Sequence, residues 1–242
     1  MKIYMCEQRS DAWRQLRLGI PTASNFDRII TPKRGELSKT AADYALRLCA
    51  ERLLNVTSES TIENPWMEQG RILEADAVRQ YEFTYEATTV AVGFITTDDG
   101  QIGCSPDRLV SSDKRVALEI KCPSPHVHLG YLLNGTAPEY TPQVQGTIYV
   151  AELDHAELYS YSTQMPAALI RTNRDDEYIA KLDVALRQFN DNLAKLFERA
   201  KALGAFQQVR QGARVEAIEA AALARQFAKE TTARMIAEGF TA

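Results

Sequence analysis

The sequence is short of several things, and each shortage removes a class of protein. Its 242 residues include three histidines and four cysteines. Cys6, Cys49, Cys104 and Cys122 form no C-x-x-C pair and the histidines are scattered, so the spacing gives no zinc pattern. Nothing points to secretion, and the thiols read as reduced cysteines of a cytoplasmic protein. No long uncharged apolar run exists, which argues against a membrane-spanning helix. The opening stretch, MKIYMCEQRSDAWRQ, lacks the apolar core of a signal peptide. Internal repeats and low-complexity segments are missing too. Positive charge is also scarce, with 28 Lys and Arg against 32 Asp and Glu and a net charge of −4. A nucleic-acid binder often carries a basic balance, so the sum counts mildly against that partner.

Distribution matters more than the sum. Residues 1–34 hold seven Lys or Arg against three acids, whereas residues 35–110 are acidic. A basic entrance on an acidic body fits a DNA channel; it fits ordinary surface variation equally well. Hydrophobic content of 45% and charged content of 25% are ordinary for a globular chain. The length suits one large domain, or one domain with a helical appendage.

The patterning predicts helices at both ends and strands in the middle. Ser10 reads as the N-cap of a short helix stopped at Gly19, and Thr22 as the cap of a second with Ala23, Phe26, Ile29 and Ile30 inward. Lys33 and Arg34 fall in a loop. A helix is expected from Ser38 to about Leu54, with Ala42, Ala45, Leu48, Cys49 and Leu53 as its apolar stripe. A polar loop follows, and Asn64-Pro65 opens the next helix, on which Ile72, Ala75 and Val78 recur at helical spacing and from which Glu74 projects. Residues 88–97 read as one strand, D-D-G as a hairpin turn, and Q-I-G-C as its return. Helices are expected after Pro123 and from Pro138, and strands at H-A-E-L-Y-S-Y-S and A-A-L-I-R-T. Two long helices close the chain, about 175–202 and 214–238. This order predicts an α/β fold, a mixed sheet flanked by helices.

The chemistry concentrates between Ile102 and Pro123: I-G-C-S-P-D-R-L-V, a polar turn, then V-A-L-E-I-K-C-P. Residues two apart on a strand share a face, so Glu119 and Lys121 point one way while Leu118 and Ile120 point into the core. A turn around residues 111–114 folds the first run back and brings Asp107 alongside. Two carboxylates and a lysine on one face make a hard-cation site with an acid/base neighbour. The same E-x-K also suits an ordinary exposed strand pair.

P-D followed by E-x-K resembles the signature of the PD-(D/E)xK nucleases. Four stretches, D-A-W-R-Q-L-R-L-G-I-P-T-A-S, G-R-I-L-E, C-S-P-D with L-E-I-K-C-P, and P-Q-V-Q-G-T-I-Y-V, together resemble the phage lambda-type exonucleases, the YqaJ-like branch of that superfamily. The resemblance implies a restriction-endonuclease-like core over residues 1–205, with 206–242 as a C-terminal helical extension. It implies a Mg²⁺-dependent 5′ to 3′ double-strand DNA exonuclease that leaves 3′ single strands and releases mononucleotides for phage-type recombination. The alternatives are an endonuclease with the same metal site and a non-catalytic DNA-end-binding subunit. Carried over, Asp107 and Glu119 hold metal with the Ile120 carbonyl, Glu74 assists a second ion, and Lys121 orients or deprotonates the attacking water. Two Mg²⁺ about 3.5–4 Å apart suit phosphodiester hydrolysis, with Mn²⁺ as a substitute, and Lys121 beside them is expected to have a lowered pKa. Arg17, Ser24, Ser105 and Gln143 match positions that hold a 5′-terminal phosphate, which an arginine fork, hydroxyls and an amide can do. Trp13, Arg34 and Met67 match DNA-contacting positions, although Trp13 also reads as core. The resemblance further implies a ring-shaped homotrimer around DNA, a single-strand annealing partner, and a phage or prophage origin in a bacterial cytoplasm.

Overall fold

The computed structural model describes residues 1–57, 65–110 and 116–204, with 65–71 by backbone alone. The expected closing helix at 214–238, most of the polar loop before Pro65, Asn64 and the turn at 111–114 lie outside the described residues. Among the described residues no helix is long and apolar enough to cross a membrane.

Among the described residues the expected central mixed sheet is present, and a smaller sheet stands beside it. The larger has five strands in the order β2-β5-β6-β7-β8: β2 (Thr89–Ala91), β5 (Arg108–Val110), β6 (Val116–Lys121), β7 (His155–Ser160) and β8 (Ala168–Asn173). Only β6 and β7 run parallel within it; the other pairs are antiparallel. The smaller sheet joins β1 (Lys2–Tyr4), β3 (Phe94–Thr96) and β4 (Gly103–Cys104). The single strand expected over 88–97 is therefore two strands in different sheets, and β1 had no sequence signal strong enough to be expected. Gly93 is where the chain changes sheet. A Cβ there would lie 2.4 Å from the Cys6 carbonyl oxygen, so the close approach of the N-terminal segment requires glycine.

The helices follow their caps more faithfully. Helix α1 (Asp11–Arg17) begins at Ser10, whose side chain accepts the Trp13 N–H, and Gly19 beyond its end has φ +67°. The segment after Thr22 is a 3-10 turn, Ala23–Arg28, rather than an α-helix, and the Thr22 side chain makes no cap bond; Ala23, Phe26, Ile29 and Ile30 are nevertheless buried, as expected. Helix α2 (Ala41–Leu54) starts three residues late and turns Ala42 outward, burying Tyr44 and Glu51 instead. Helix α3 (Pro65–Tyr85) exposes Ile72 and Ala75 and buries Ala77, Val78 and Tyr81. Helices α4 (Pro125–Asn134) and α5 (Thr141–Val150) connect β6 to β7, the crossover a parallel pair needs.

Helix α6 (Asp176–Ala202) shows each terminal device at once. Asp175 caps it, Asp176 and Glu177 occupy its first turn, and Arg199 and Lys201 its last, so the charges oppose the helix dipole. Its stripe of Ile179, Leu182, Leu186, Phe189 and Leu193 is buried in a core shared with α2, α5 and the 3-10 turn. Tyr44 of α2 stacks on Phe189 with ring centroids 5.4 Å apart. A second cluster packs α3 against β6 through Val78, Tyr81 and Leu118. Strand β6 is thus held from both sides.

Candidate active site

Strand β6 alternates as its sequence demands. Leu118 and Ile120 are buried, while Glu119 and Lys121 keep 12% and 24% side-chain exposure on the other face. Strand β5 pairs with it in the register Arg108↔Leu118, which leaves Asp107 at the open end of the hairpin. There the Ile120 N–H donates to Asp107 Oδ2 at 2.6 Å. The Lys121 ammonium donates to Glu119 Oε1 at 2.6 Å and lies 4.9 Å from the Tyr140 ring centre. Helix α5 adds Gln143, whose amide donates to the same Glu119 oxygen at 2.5 Å. Asp107, Glu119 and Lys121 are therefore brought together.

The charges in this cluster are strained against one another. Burial first, then Glu119, pushes the Asp107 carboxyl well above the usual carboxylate range; Lys121 and the Ile120 N–H oppose that, and Glu74 adds to it. Burial pulls Lys121 down, yet Glu119 and Asp107 outweigh burial and hold the ammonium above the ordinary lysine range. That direction is set chiefly by the two carboxylates; the lowered value expected from sequence is for Lys121 beside bound cations. Burial, followed by Glu74 and Asp107, pushes the Cys122 thiol up to about 11. Glu74 is thus within electrostatic reach of both Asp107 and Cys122, on the α3 side of the site.

The residues fit a hard cation. Among the described residues no three His, Cys, Asp or Glu side chains close into a ready metal cluster. Mg²⁺ does not require one, since it binds through one or two carboxylates and keeps its waters. A carboxyl raised by burial and then by a neighbouring carboxylate is an electrostatic demand for positive charge. Asp107 and Glu119 would hold such an ion, with Glu74 within electrostatic reach of Asp107.

The phosphate-type residues lie on the neighbouring elements. Arg17 Nη1 is 3.4 Å from the Ser105 hydroxyl, and its guanidinium lies 4.1 Å over the Trp13 ring. The Trp13 indole N–H reaches Ser105 Oγ at 2.9 Å and the Gly93 carbonyl at 3.1 Å. Trp13 is only 7% exposed, so it acts on this site through Arg17 and Ser105 and presents no open ring face. Ser24 is exposed, with its hydroxyl 3.3 Å from that of Thr22. Gln143 contacts Glu119, which places it with the acidic half of the site rather than beside Arg17 and Ser105. The buried Cys104 thiol is raised mainly by burial and then by Glu119, while Arg17 lowers it, so it lies between the acidic and basic halves. Arg34 stands apart, with a 79% exposed side chain 3.8 Å from Glu36. The Met67 side chain is outside the described residues.

Sequence reasoning missed Tyr140, beside Lys121, and Glu51, a carboxylate buried on the inner face of α2. The signal for Glu51 was available: it stands three residues after Leu48, on a stripe that should be apolar.

A mixed sheet whose adjoining strands bring S-P-D and E-x-K side chains together defines the PD-(D/E)xK nuclease class. Residues 12–154 match the YqaJ-like viral recombinase domain, and the chain belongs to that family. It is similar to the alkaline exonuclease LHK-Exo of Laribacter hongkongensis, with a TM-score of 0.72 and 27% identity over 81% of this chain and 98% of that one. The same exonuclease in complex with dAMP gives 0.73 and 28%, with the same coverage. A phage-related exonuclease of Haemophilus somnus 129PT shares the fold, with a TM-score of 0.59 and 17% identity over 74% of this chain and 96% of that one. Among curated proteins nothing matches the chain.

Proposed function

We propose that the chain is a Mg²⁺-dependent exonuclease that degrades linear duplex DNA from its 5′ ends, leaving 3′ single strands and releasing 5′-mononucleotides. The convergence of Asp107, Glu119 and Lys121 carries this reading. Family membership and the fold supply the context, and the dAMP bound to the similar Laribacter exonuclease supports a mononucleotide product. The exonuclease domain is residues 1–205 and residues 206–242 form an extension. A ring of three copies, a cytoplasmic setting and a single-strand annealing partner complete the reading, with recombination of phage type as the role.

The reaction adds water to phosphorus and breaks the P–O3′ bond, so the O3′ oxygen leaves with a proton and each cut exposes a new 5′-phosphate. When bound, divalent cations would supply charge neutralisation and a more acidic water; Asp107 and Glu119 would hold one, and Glu74 would support a second. Lys121 orients or deprotonates the attacking water, and its ammonium form offsets charge growing on the phosphate. Gln143 keeps Glu119 in place through its amide. Arg17, with Ser105 and Ser24, receives the terminal phosphate and so sets which bond is cut.

The test uses end-labelled linear duplex and a covalently closed circle, each with Mg²⁺ and sampled over time. Labelled mononucleotide from the 5′ end, with the circle intact, is expected. A cut circle overturns the exonuclease reading in favour of an endonuclease, and no release from either leaves an end-binding subunit.

A further inference from the structure

Arg17 has company. The end of α1, the middle of α2 and the 3-10 turn enclose a recess of about 10 Å³, room for one water-sized group. Arg14 and Arg17 reach it from α1, Arg47 from α2, and Thr22 and Asn25 from the turn. Its lining includes three guanidiniums and one carboxylate, Glu51. Glu51 is 5% exposed. Its Oε1 lies 3.6 Å from Arg47 Nε and its Oε2 accepts the Gly19 N–H at 3.0 Å. The adjacent Arg52 donates to the Gly19 carbonyl at 2.6 Å. Helix α2 therefore grips the Gly19 peptide from both sides, just past the turn of α1 that carries Arg17. Thr22 N–H reaches the Tyr44 hydroxyl at 3.4 Å, and Arg17 and Arg47 both act on that hydroxyl electrostatically. The two cations thus converge on one place from different helices.

We infer that Arg47 is a second cation of the end-phosphate site, joining Arg17 to hold the terminal phosphate monoester of a DNA 5′ end at the mouth of this recess, with Glu51 as the residue that positions it. The inference rests on the end-phosphate reading above. A phosphate monoester carries about −1.5 to −2 charges at pH 7, whereas an internal diester carries one. A single arginine balances a diester; a second one distinguishes a monoester from it. Arginine suits the task because its planar fork matches phosphate oxygens. Asn25 and Thr22 add neutral donors at the same opening.

The test compares kcat/KM of the full chain on linear duplexes that carry a 5′-phosphoryl or a 5′-hydroxyl end, with inorganic phosphate as a competing probe. In Arg47→Gln the phosphoryl-to-hydroxyl ratio is expected to fall about tenfold, equivalent to about 1.4 kcal/mol, and inhibition by phosphate to weaken by a similar factor. The double variant Arg47→Gln with Glu51→Gln removes the two charges of this pair together and is expected to show the same losses with its fold kept. Arg47→Lys is expected to restore part of the ratio. A double variant that keeps the parent's ratio and phosphate inhibition overturns the inference. If Arg17→Ala loses the preference while both Arg47 variants keep it, the end-phosphate reading stands and this inference alone falls. A parent that does not distinguish the two ends overturns both.

Discussion

The two halves of the site are built by opposite strategies. The acidic half is compact and local: Asp107, Glu119 and Lys121 come from two paired strands, with hydrogen bonds of 2.6 Å from Lys121 to Glu119 and from the Ile120 N–H to Asp107. The basic half is assembled across the fold, from Arg17 on α1, Ser105 beside β4, and Arg47 and Glu51 on α2. Carboxylates that bind a cation must be close enough to repel, so rigid neighbouring strands hold them. An anion seat needs donors arriving from several directions, so helix ends and turns supply it. Cys104 lies where the halves meet, within electrostatic reach of Glu119 and of Arg17.

The largest effect should come from the acidic half. Asp107→Asn or Glu119→Gln should reduce nucleotide release by at least about 10³-fold, read in a Mg²⁺ time course. Asp107→Asn should at the same time raise the thermal midpoint measured in chelator at neutral pH. The sign follows from the raised Asp107 pKa. As pH rises above the usual carboxylate value, the unfolded chain releases this proton before the folded one, so native stability falls. The gain from asparagine should therefore shrink as pH is lowered toward 3.8 and vanish below it. A variant no more stable than the parent at pH 7 would show that the crowding of Asp107 and Glu119 is relieved in solution.

Lys121→Met should cost about 10²–10⁴-fold in rate. A loss below tenfold would move Lys121 from the reaction to the support of Glu119. Arg17→Ala should act differently, removing about tenfold of the preference for 5′-phosphorylated ends; a uniform loss on both ends would erase the distinction between the halves. Gly19→Ala tests the helix clamp. Its φ is +67°, and a Cβ would lie 2.4 Å from Arg52 Cγ, so a loss of about 1–3 kcal/mol in denaturant unfolding is expected. The smallest effect belongs to Trp13→Phe, which removes the indole bonds to Ser105 and Gly93. A stability loss of about 1 kcal/mol should accompany a modest fall in end preference, and no change in either would leave Trp13 as packing alone.

Much of the acidic half was legible because its geometry is local. Alternation along β6 placed Glu119 and Lys121 together, and the short return put Asp107 beside them. The Lys121 charge state was not legible, since it depends on how deeply two carboxylates are buried against it. The basic half was legible only where a resemblance named Arg17, Ser24, Ser105 and Gln143. Arg47 belongs to no motif, and the packing of the fold brings it to the recess that Arg17 also lines.

By itself the sequence determined where helices start and stop, through Ser10, Asp175 and Gly19, and which residues of β6 face away from the core. Those choices depend on backbone geometry within a few residues. Tertiary structure alone decided that residues 88–97 divide between two sheets at Gly93, that β6 runs parallel to β7, that Gln143 reaches Glu119, and that two arginines share a recess. Each of these is a contact between segments far apart in the chain, so it depends on which apolar faces pack together.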